Sequence, residues 1–280
     1  MKTTLIGWPI SHSVSPAMHN AAFRALEIAG EYSLLPVERA EDLGATLARL
    51  KADPEWMGAN VTVPHKENVI ARLDGLEGAA ERLRAVNTVV RAGDRLIGRN
   101  TDLPGFLADL ERNGIPFRGR SAIVIGSGGA ARAVILGLVE SGCAVTLIAV
   151  LREQAEALAR ELGDGRVEVL SWNDPILAEK VQSAGLIVNA SPVGMWPKVG
   201  ESPWPRNLGL PPDASVYDLV YNPQETAFMK QARAAGLRAA SGLGMLVEQG
   251  ALAFEMWTGS AAPREVMMAA ALTELAGKEN

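Results

Sequence analysis

Two hydroxyls, two imidazoles and an amide crowd into HSVSPAMHN, residues 12–20, just before a run that reads as a helix. Pro16 suits the first turn of a helix, where its missing N–H costs nothing, and Ser15 before it is a good N-cap. Capping leaves Ser13 without a task. Two hydroxyls beside the N–H groups of a helix N-terminus also suit an anion such as a carboxylate. Three more polar clusters follow. GANVTVPHK offers Asn60, Thr62 and Lys66, AVNTV offers Asn87, and GRNTD offers Asp102. Each lies at the end of a predicted strand, where α/β proteins gather groups that meet ligands. Asn60 is taken with Thr62 and Asn87 as a candidate substrate contact. A lysine and an aspartate brought together could pass a proton beside a hydride acceptor. Taken singly, Lys66 reads as a solvated helix residue and Asp102 as a cap for a helix beginning at Leu103.

A fourth stretch makes the hydride acceptor concrete. GSGGA, Gly126–Ser127–Gly128–Gly129–Ala130, follows the branched run SAIVI and opens the helical pattern AARAVILGLVESG. A glycine turn between strand and helix is the context in which such a loop binds a dinucleotide. Gly126 permits the tight turn, Gly128 lets the backbone approach a pyrophosphate, and Gly129 or Ala130 lets the helix pack on the strand. The N–H groups of the helix then face the phosphates.

The elements that must position these residues alternate. TTLIG, EYSLLPVE and WMGANVTV read as strands. SPAMHNAAFRALEI, with Met18, Ala22 and Ala25 at helical spacing, reads as a helix. So do AEDLGATLARLKA, with Leu43, Leu47 and Leu50 on one face, and KENVIARL. VNTVVRAGDRLIGRN predicts a hairpin turning at Gly93–Asp94. After the helix NTDLPGFLADLERNG a second alternation begins. Its strands are SAIVI, AVTLIAV, VEVLS, GLIVNAS and SVYDLVY, its next helix is REQAEALARELG, and GLGMLVEQGALAFEMWTG is a long C-terminal helix. Such alternation implies two α/β domains with mainly parallel sheets. The first is expected over residues 1–102 and the second over 103–242.

Composition excludes several classes. The 280 residues carry a net charge of −5 and no basic block stands out, which argues against nucleic acid as a partner. The single cysteine, Cys143, allows no intrachain disulfide. His12, His19 and His65 have no zinc-like spacing, so no metal is expected. No signal peptide or membrane span is read, and the expectation is a soluble cytoplasmic protein, monomeric or homodimeric.

The chain resembles the shikimate dehydrogenase family over nearly its whole length. The resemblance is carried by GWPISHSVSPAMHNAAF, NVTVPHKENV, AVNTV, GRNTDLPGF, GSGGAARA, YDLVYNPQET and GLGMLVEQGALAFEMWTG. It implies reversible reduction of 3-dehydroshikimate to shikimate by a nicotinamide dinucleotide, usually NADPH. A substrate domain and a Rossmann domain would flank an active-site cleft, with the C-terminal helices, 243–280, returning to the substrate domain. It implies that Ser13 and Ser15 hold the substrate carboxylate, assisted by Tyr221. Thr62, Asn87, Asp102 and Gln249 would hold the ring hydroxyls, and Lys66 with Asp102 would form the catalytic pair. Gly126 to Ala130 would meet the pyrophosphate, and Leu219, Gly242 and Met245 would lie on the nicotinamide side.

The departures from the family pattern fall at the adenosine end. Where the family carries an Asn-Arg-Thr triplet and then a further basic residue, this chain has Ala149, Val150, Leu151 and Gln154. The clamp for the NADP 2′-phosphate is missing, and no acidic residue stands at Ala149 for the NAD ribose. Arg152 is the nearest cation that could replace it. NAD use is therefore expected beside NADP. Pro192 stands where the family more often has a small residue. Two alternatives remain: a quinate/shikimate dehydrogenase using NAD, and a ligand-binding sensor without turnover.

Overall fold

The structure, a computed structural model, describes residues 1–278. The chain divides into two compact units, one formed by Met1–Gly105 and the segment from Val247 onward, the other by Phe106–Leu246.

The first unit is built on β1 (Lys2–Gly7), α1 (Ser15–Ala25), β2 (Glu31–Pro36), α2 (Leu43–Lys51), β3 (Trp56–Val61), β4 (Gly75–Leu76), α3 (Ala79–Leu83), β5 (Thr88–Ala92) and β6 (Arg95–Arg99). Its six-stranded sheet runs β2-β1-β3-β5-β6-β4. β1 pairs in parallel with β2 and β3, whereas β3, β5 and β6 pair antiparallel through the hairpin at Gly93–Asp94. On α2, Leu43 and Leu47 are buried and Leu50 partly so, in one cluster with Ile6, Trp56, Val61 and Val89. On α1 the buried face is Met18, His19, Ala22 and Phe23; Ala25 is exposed.

Two local readings are corrected, and two short elements join those read from the sequence. KENVIARL forms only a short 3₁₀ turn, Asn68–Arg72, because the branched Val69 and Ile70 propagate a helix poorly and the chain turns at once into β4. β4 and α3, two and five residues long, are too short to show a period. Ser15 is not the N-cap of α1: Val14 holds that position, and the Ser13 hydroxyl accepts the Ser15 N–H at 3.2 Å.

The helix α4 (Asp102–Arg112) contains the first boundary between the units. The second unit then comprises β7 (Ser121–Ile125), α5 (Gly129–Glu140), β8 (Ala144–Ile148), α6 (Arg152–Leu162), β9 (Val167–Leu170), α7 (Leu177–Ser183), β10 (Ala184–Asn189), β11 (Ser215–Asp218), α8 (Ala227–Ala234) and β12 (Arg238–Ser241). All five strand pairings are parallel, in the order β12-β11-β10-β7-β8-β9. Counted within the unit this is 3-2-1-4-5-6 read from the β9 edge inward and outward again, the doubly wound order of dinucleotide-binding domains, with its reversal between β7 and β10. The second boundary lies in α9 (Leu243–Thr258), and α10 (Arg264–Lys278) closes the described chain by packing on α1.

His19 is fully buried in the first unit. It stacks on Tyr32 at 4.2 Å with the rings 2° from parallel, and it lies 5.6 Å from the Trp257 ring. Neither ring nitrogen has a hydrogen-bond partner. Burial therefore favours the neutral imidazole and lowers its pKa to about 3. The unfolded chain takes up this proton near pH 6.5 and the folded chain does not, so stability falls as pH drops from 6.5 towards 3. Between about pH 8 and about pH 5 the loss from this group is about 2 kcal/mol. Urea unfolding at both pH values checks it: His19→Leu is expected to shrink the wild-type difference by about that amount.

Candidate active site

The sheet topology brings three distant segments to one edge of the first unit. β3 ends at Val61, its antiparallel neighbour β5 begins at Thr88, and β6 ends at Arg99. Asn60 pairs with Thr88, and Thr88 with Arg99. Lys66, Asn87 and Asp102 therefore emerge side by side. The Lys66 ammonium donates to Asp102 Oδ2 at 2.6 Å, with side chains only 17% and 10% exposed. Asn87 Nδ2 donates to the other carboxylate oxygen at 2.8 Å. Gln249 of α9 joins from the C-terminal segment, its Oε1 lying 3.4 Å from Asn87 Nδ2.

Neither bland reading of the pair survives. Lys66 stands in a turn, not on a helix. Asp102 is the first residue of α4 and does not cap it. That work falls to Asn100, whose Oδ1 accepts the N–H groups of Asp102 (3.0 Å) and Leu103 (3.4 Å). The Asp102 carboxylate is left for Lys66 and Asn87. Two further hydroxyls enter the cluster that the amino-acid pattern did not single out. Thr101 accepts from Asn87 Nδ2 at 2.9 Å, and Thr88 donates to Asn87 Oδ1 at 3.0 Å. Both sit next to residues already singled out, and that adjacency was their only signal.

The remaining first-unit candidates divide by availability. Ser13 and Thr62 are half-buried and Ser15 is buried. Asn60 has both amide protons engaged internally, at 3.1 Å to the Asn87 carbonyl and 3.2 Å to Thr88, and its oxygen receives the Tyr32 hydroxyl at 2.8 Å.

In the second unit the glycine loop lies at the reversal of strand order. Gly126 has φ +107°, and a Cβ there would press on the Ala190 carbonyl at 2.9 Å, so no side chain fits. A Cβ at Gly128 or Gly129 would meet nothing within 4 Å. That is open ground above the first turn of α5, whose N–H groups have no partner within the helix. The small residue that seats α5 in the core is Ala131, fully buried, and not Gly129 or Ala130. An open, donor-rich helix start at a switch point fits the pyrophosphate of a dinucleotide.

On the same unit, Gly242 packs on Leu219, where a Cβ would clash with the Leu219 carbonyl oxygen. Asp218 anchors the loop carrying Leu219 and Tyr221. It accepts from Asn189 (2.8 Å), the Val220 N–H (3.1 Å) and Thr226 (2.6 Å). Burial lifts its carboxyl above the usual carboxylate range. Met245 is buried and Tyr221 half-buried.

At the adenosine end, Val150 is fully exposed and the Gln154 amide oxygen accepts the Ser127 hydroxyl at 3.0 Å. Arg152 pairs with Glu156 at 2.8 Å. Among the described residues, no group of three or more His, Cys, Asp or Glu could hold a metal ion, and no helix is long and apolar enough to cross a membrane.

A parallel sheet in dinucleotide order and a lysine–carboxylate pair define a dinucleotide-dependent oxidoreductase. Family models place it further. Residues 5–89 match the shikimate dehydrogenase substrate binding domain, and residues 242–272 match the shikimate 5′-dehydrogenase C-terminal domain. The shikimate dehydrogenase (NADP(+)) of Salinibacter ruber is 45% identical, covering 93% of each chain. Shikimate 5-dehydrogenase from Thermus thermophilus, solved with NADP(H) and shikimate, is 39% identical. It superposes with a TM-score of 0.88 over 98% of this chain and 99% of its own. The Listeria monocytogenes enzyme, solved with shikimate and NAD, is 32% identical with a TM-score of 0.89, covering 95% and 94%. The chain belongs to the shikimate dehydrogenase family.

Removing the Asn100 amide tests the division of labour at α4. Asn100→Ala frees two first-turn N–H groups and leaves the Ala85 carbonyl without its 3.0 Å donor. The expected loss is about 1–3 kcal/mol of unfolding free energy, read by urea denaturation.

Proposed function

We propose that this chain interconverts 3-dehydroshikimate and shikimate with NADP as hydride carrier, and that Lys66 and Asp102 are its proton-transfer pair. The observation that carries the reading is the 2.6 Å Lys66–Asp102 contact at the sheet edge where Asn87 and Gln249 converge. The dinucleotide, when bound on the Gly126–Ala130 loop, supplies or receives the hydride. The first unit handles the rest of the substrate. Ser13 and Ser15 offer hydroxyl donors to a carboxylate at the start of α1, adding no fixed charge that would compete for Asp102. Thr62, Asn87 and Gln249 offer polar groups to ring hydroxyls.

Charge builds on the carbonyl oxygen during reduction, and the Lys66 ammonium both stabilises it and gives up a proton there. In the reverse direction the neutral amine takes the hydroxyl proton. Asp102, held by Asn87 on its other oxygen, keeps the lysine in place. Lys66→Ala is expected to lower kcat by about 10²–10⁴-fold while leaving shikimate affinity largely intact. Steady-state rates with dissociation constants from fluorescence titration check it. A variant keeping half of the wild-type turnover would remove Lys66 from this role.

The adenosine end supports weak discrimination between NADP and NAD. A 2′-phosphate wants a guanidinium or an ammonium, but Val150 is bare and Gln154 is bound to Ser127, while Arg152 is paired with Glu156. One missing charge-assisted bond is worth about 1.5–3 kcal/mol, so the preference for NADP stays below about a hundredfold. Catalytic efficiencies with both cofactors test this, and Arg152→Ala is expected to change neither by more than about twofold. A steep loss with NADP alone would instead make Arg152 the phosphate clamp.

A further inference from the structure

We propose that Tyr32 is a positioning residue for the reaction, acting on Asp102 through a chain of buried hydrogen bonds that can run head to tail. This rests on the reading of Lys66 and Asp102 as the proton-transfer pair. Two backbone groups at its links cannot change role. The backbone N–H of Thr101 can only donate, and it donates to one end of the Asn87 side chain at 2.8 Å. That end is therefore the amide oxygen, and the Asn87 NH₂ faces Asp102 Oδ1. The backbone carbonyl of Asn87 can only accept, and it receives one end of the Asn60 side chain at 3.1 Å. That end is the Asn60 NH₂, so the Asn60 oxygen faces Tyr32 and the phenol must be the donor, at 2.8 Å.

Asn60 donates to the Thr88 hydroxyl at 3.2 Å, and the Thr88 proton is shared between Asn87 Oδ1 at 3.0 Å and the Thr101 hydroxyl at 3.3 Å; the shorter bond continues the chain. From Tyr32 through Asn60, Thr88 and Asn87, each group donates towards the Asp102 carboxylate. Bonds aligned head to tail in a buried site polarise one another. Every member is buried, Tyr32 at 2% exposure and Thr88 at none, so water does not substitute for a missing link.

Two neighbours fit Tyr32 for the head of the chain. His19 stacks flat on the phenol ring and its nitrogens have no hydrogen-bond partner, so the imidazole holds the ring plane without diverting the phenolic proton. The Ser15 hydroxyl lies beside the phenol oxygen, which can still accept. Asn60 is accordingly the relay between the phenol and Thr88.

The test is Tyr32→Phe, which keeps the ring and removes the donor. The expected result is a fall in kcat for shikimate oxidation of about tenfold, with KM for shikimate within about twofold of wild type. In an Asn60→Ala background the same substitution should add nothing further, because the chain is already cut there. Phe23→Leu, in the same aromatic cluster but outside the chain, is the packing control and should keep kcat within about twofold. If Tyr32→Phe fails to fold, Asn60→Ala alone carries the same expectations for kcat and KM. Wild-type kcat retained in Tyr32→Phe, a loss confined to KM, or an equal loss in Phe23→Leu would each overturn the proposal. Those outcomes leave the proton-transfer pair standing, whereas an unimpaired Lys66→Ala would bring down the pair itself.

Discussion

A carboxylate that must remain available to an ammonium cannot also serve as a helix cap. Asp102 opens α4, where an acidic side chain would ordinarily turn back onto the first-turn N–H groups. Asn100 takes over that work with its own oxygen, while its nitrogen holds the Ala85 carbonyl. Asn87 then secures one oxygen of Asp102, and Lys66 takes the other. The order of strands in the first unit follows from this need. Only with β5 and β6 antiparallel beside β3 do the end of one strand and the beginning of the next meet at a single edge.

The second unit solves a different problem with the same materials. Its sheet is wholly parallel, so the carboxyl ends of all six strands lie on one side. The reversal between β7 and β10 parts the two crossovers that follow them and opens a crevice there. Gly126 allows the chain to turn hard against Ala190, and the absence of side chains at Gly128 and Gly129 keeps the helix start uncovered. The Asp218 network, three donors on one buried carboxylate, fixes the loop bearing Leu219 and Tyr221.

Much of this was legible in the amino-acid order because it depends on local pattern. The alternating runs marked the main strands, Gly93–Asp94 marked the hairpin, and the glycine loop between SAIVI and AARAVIL marked the turn at the reversal of strand order. Polar residues at strand ends marked the cluster around Lys66. Elements too short to show a period were not legible: β4, α3 and α7, with β12 and α8 lost in the polar stretch after Tyr221. Capping was misread at Ser15, which precedes Pro16 and has the right residue type, while the neighbouring Ser13 supplies the oxygen. At α4 the residue that takes the first-turn N–H groups, Asn100, gave no signal of its own. Tyr32 carried no signal at all. It lies in an ordinary branched and aromatic strand, and its importance comes from the placing of β2 and β3 on either side of β1, which no single stretch encodes.

The first unit is discontinuous, and this orders events during synthesis. Residues 106–246 form one contiguous stretch that can close as soon as it leaves the ribosome. The first unit begins earlier and finishes last. The face of α1 that α10 covers, and the aromatic cluster that Trp257 completes, stay exposed to water and to other nascent chains until the final turns are made. Gln249 is the last member of the polar cluster around Asn87 to arrive. A ribosome-bound intermediate can thus present a finished second sheet while the first unit is still open. Premature termination just before Val247 would yield a chain with the second unit whole and the first left uncovered along α1.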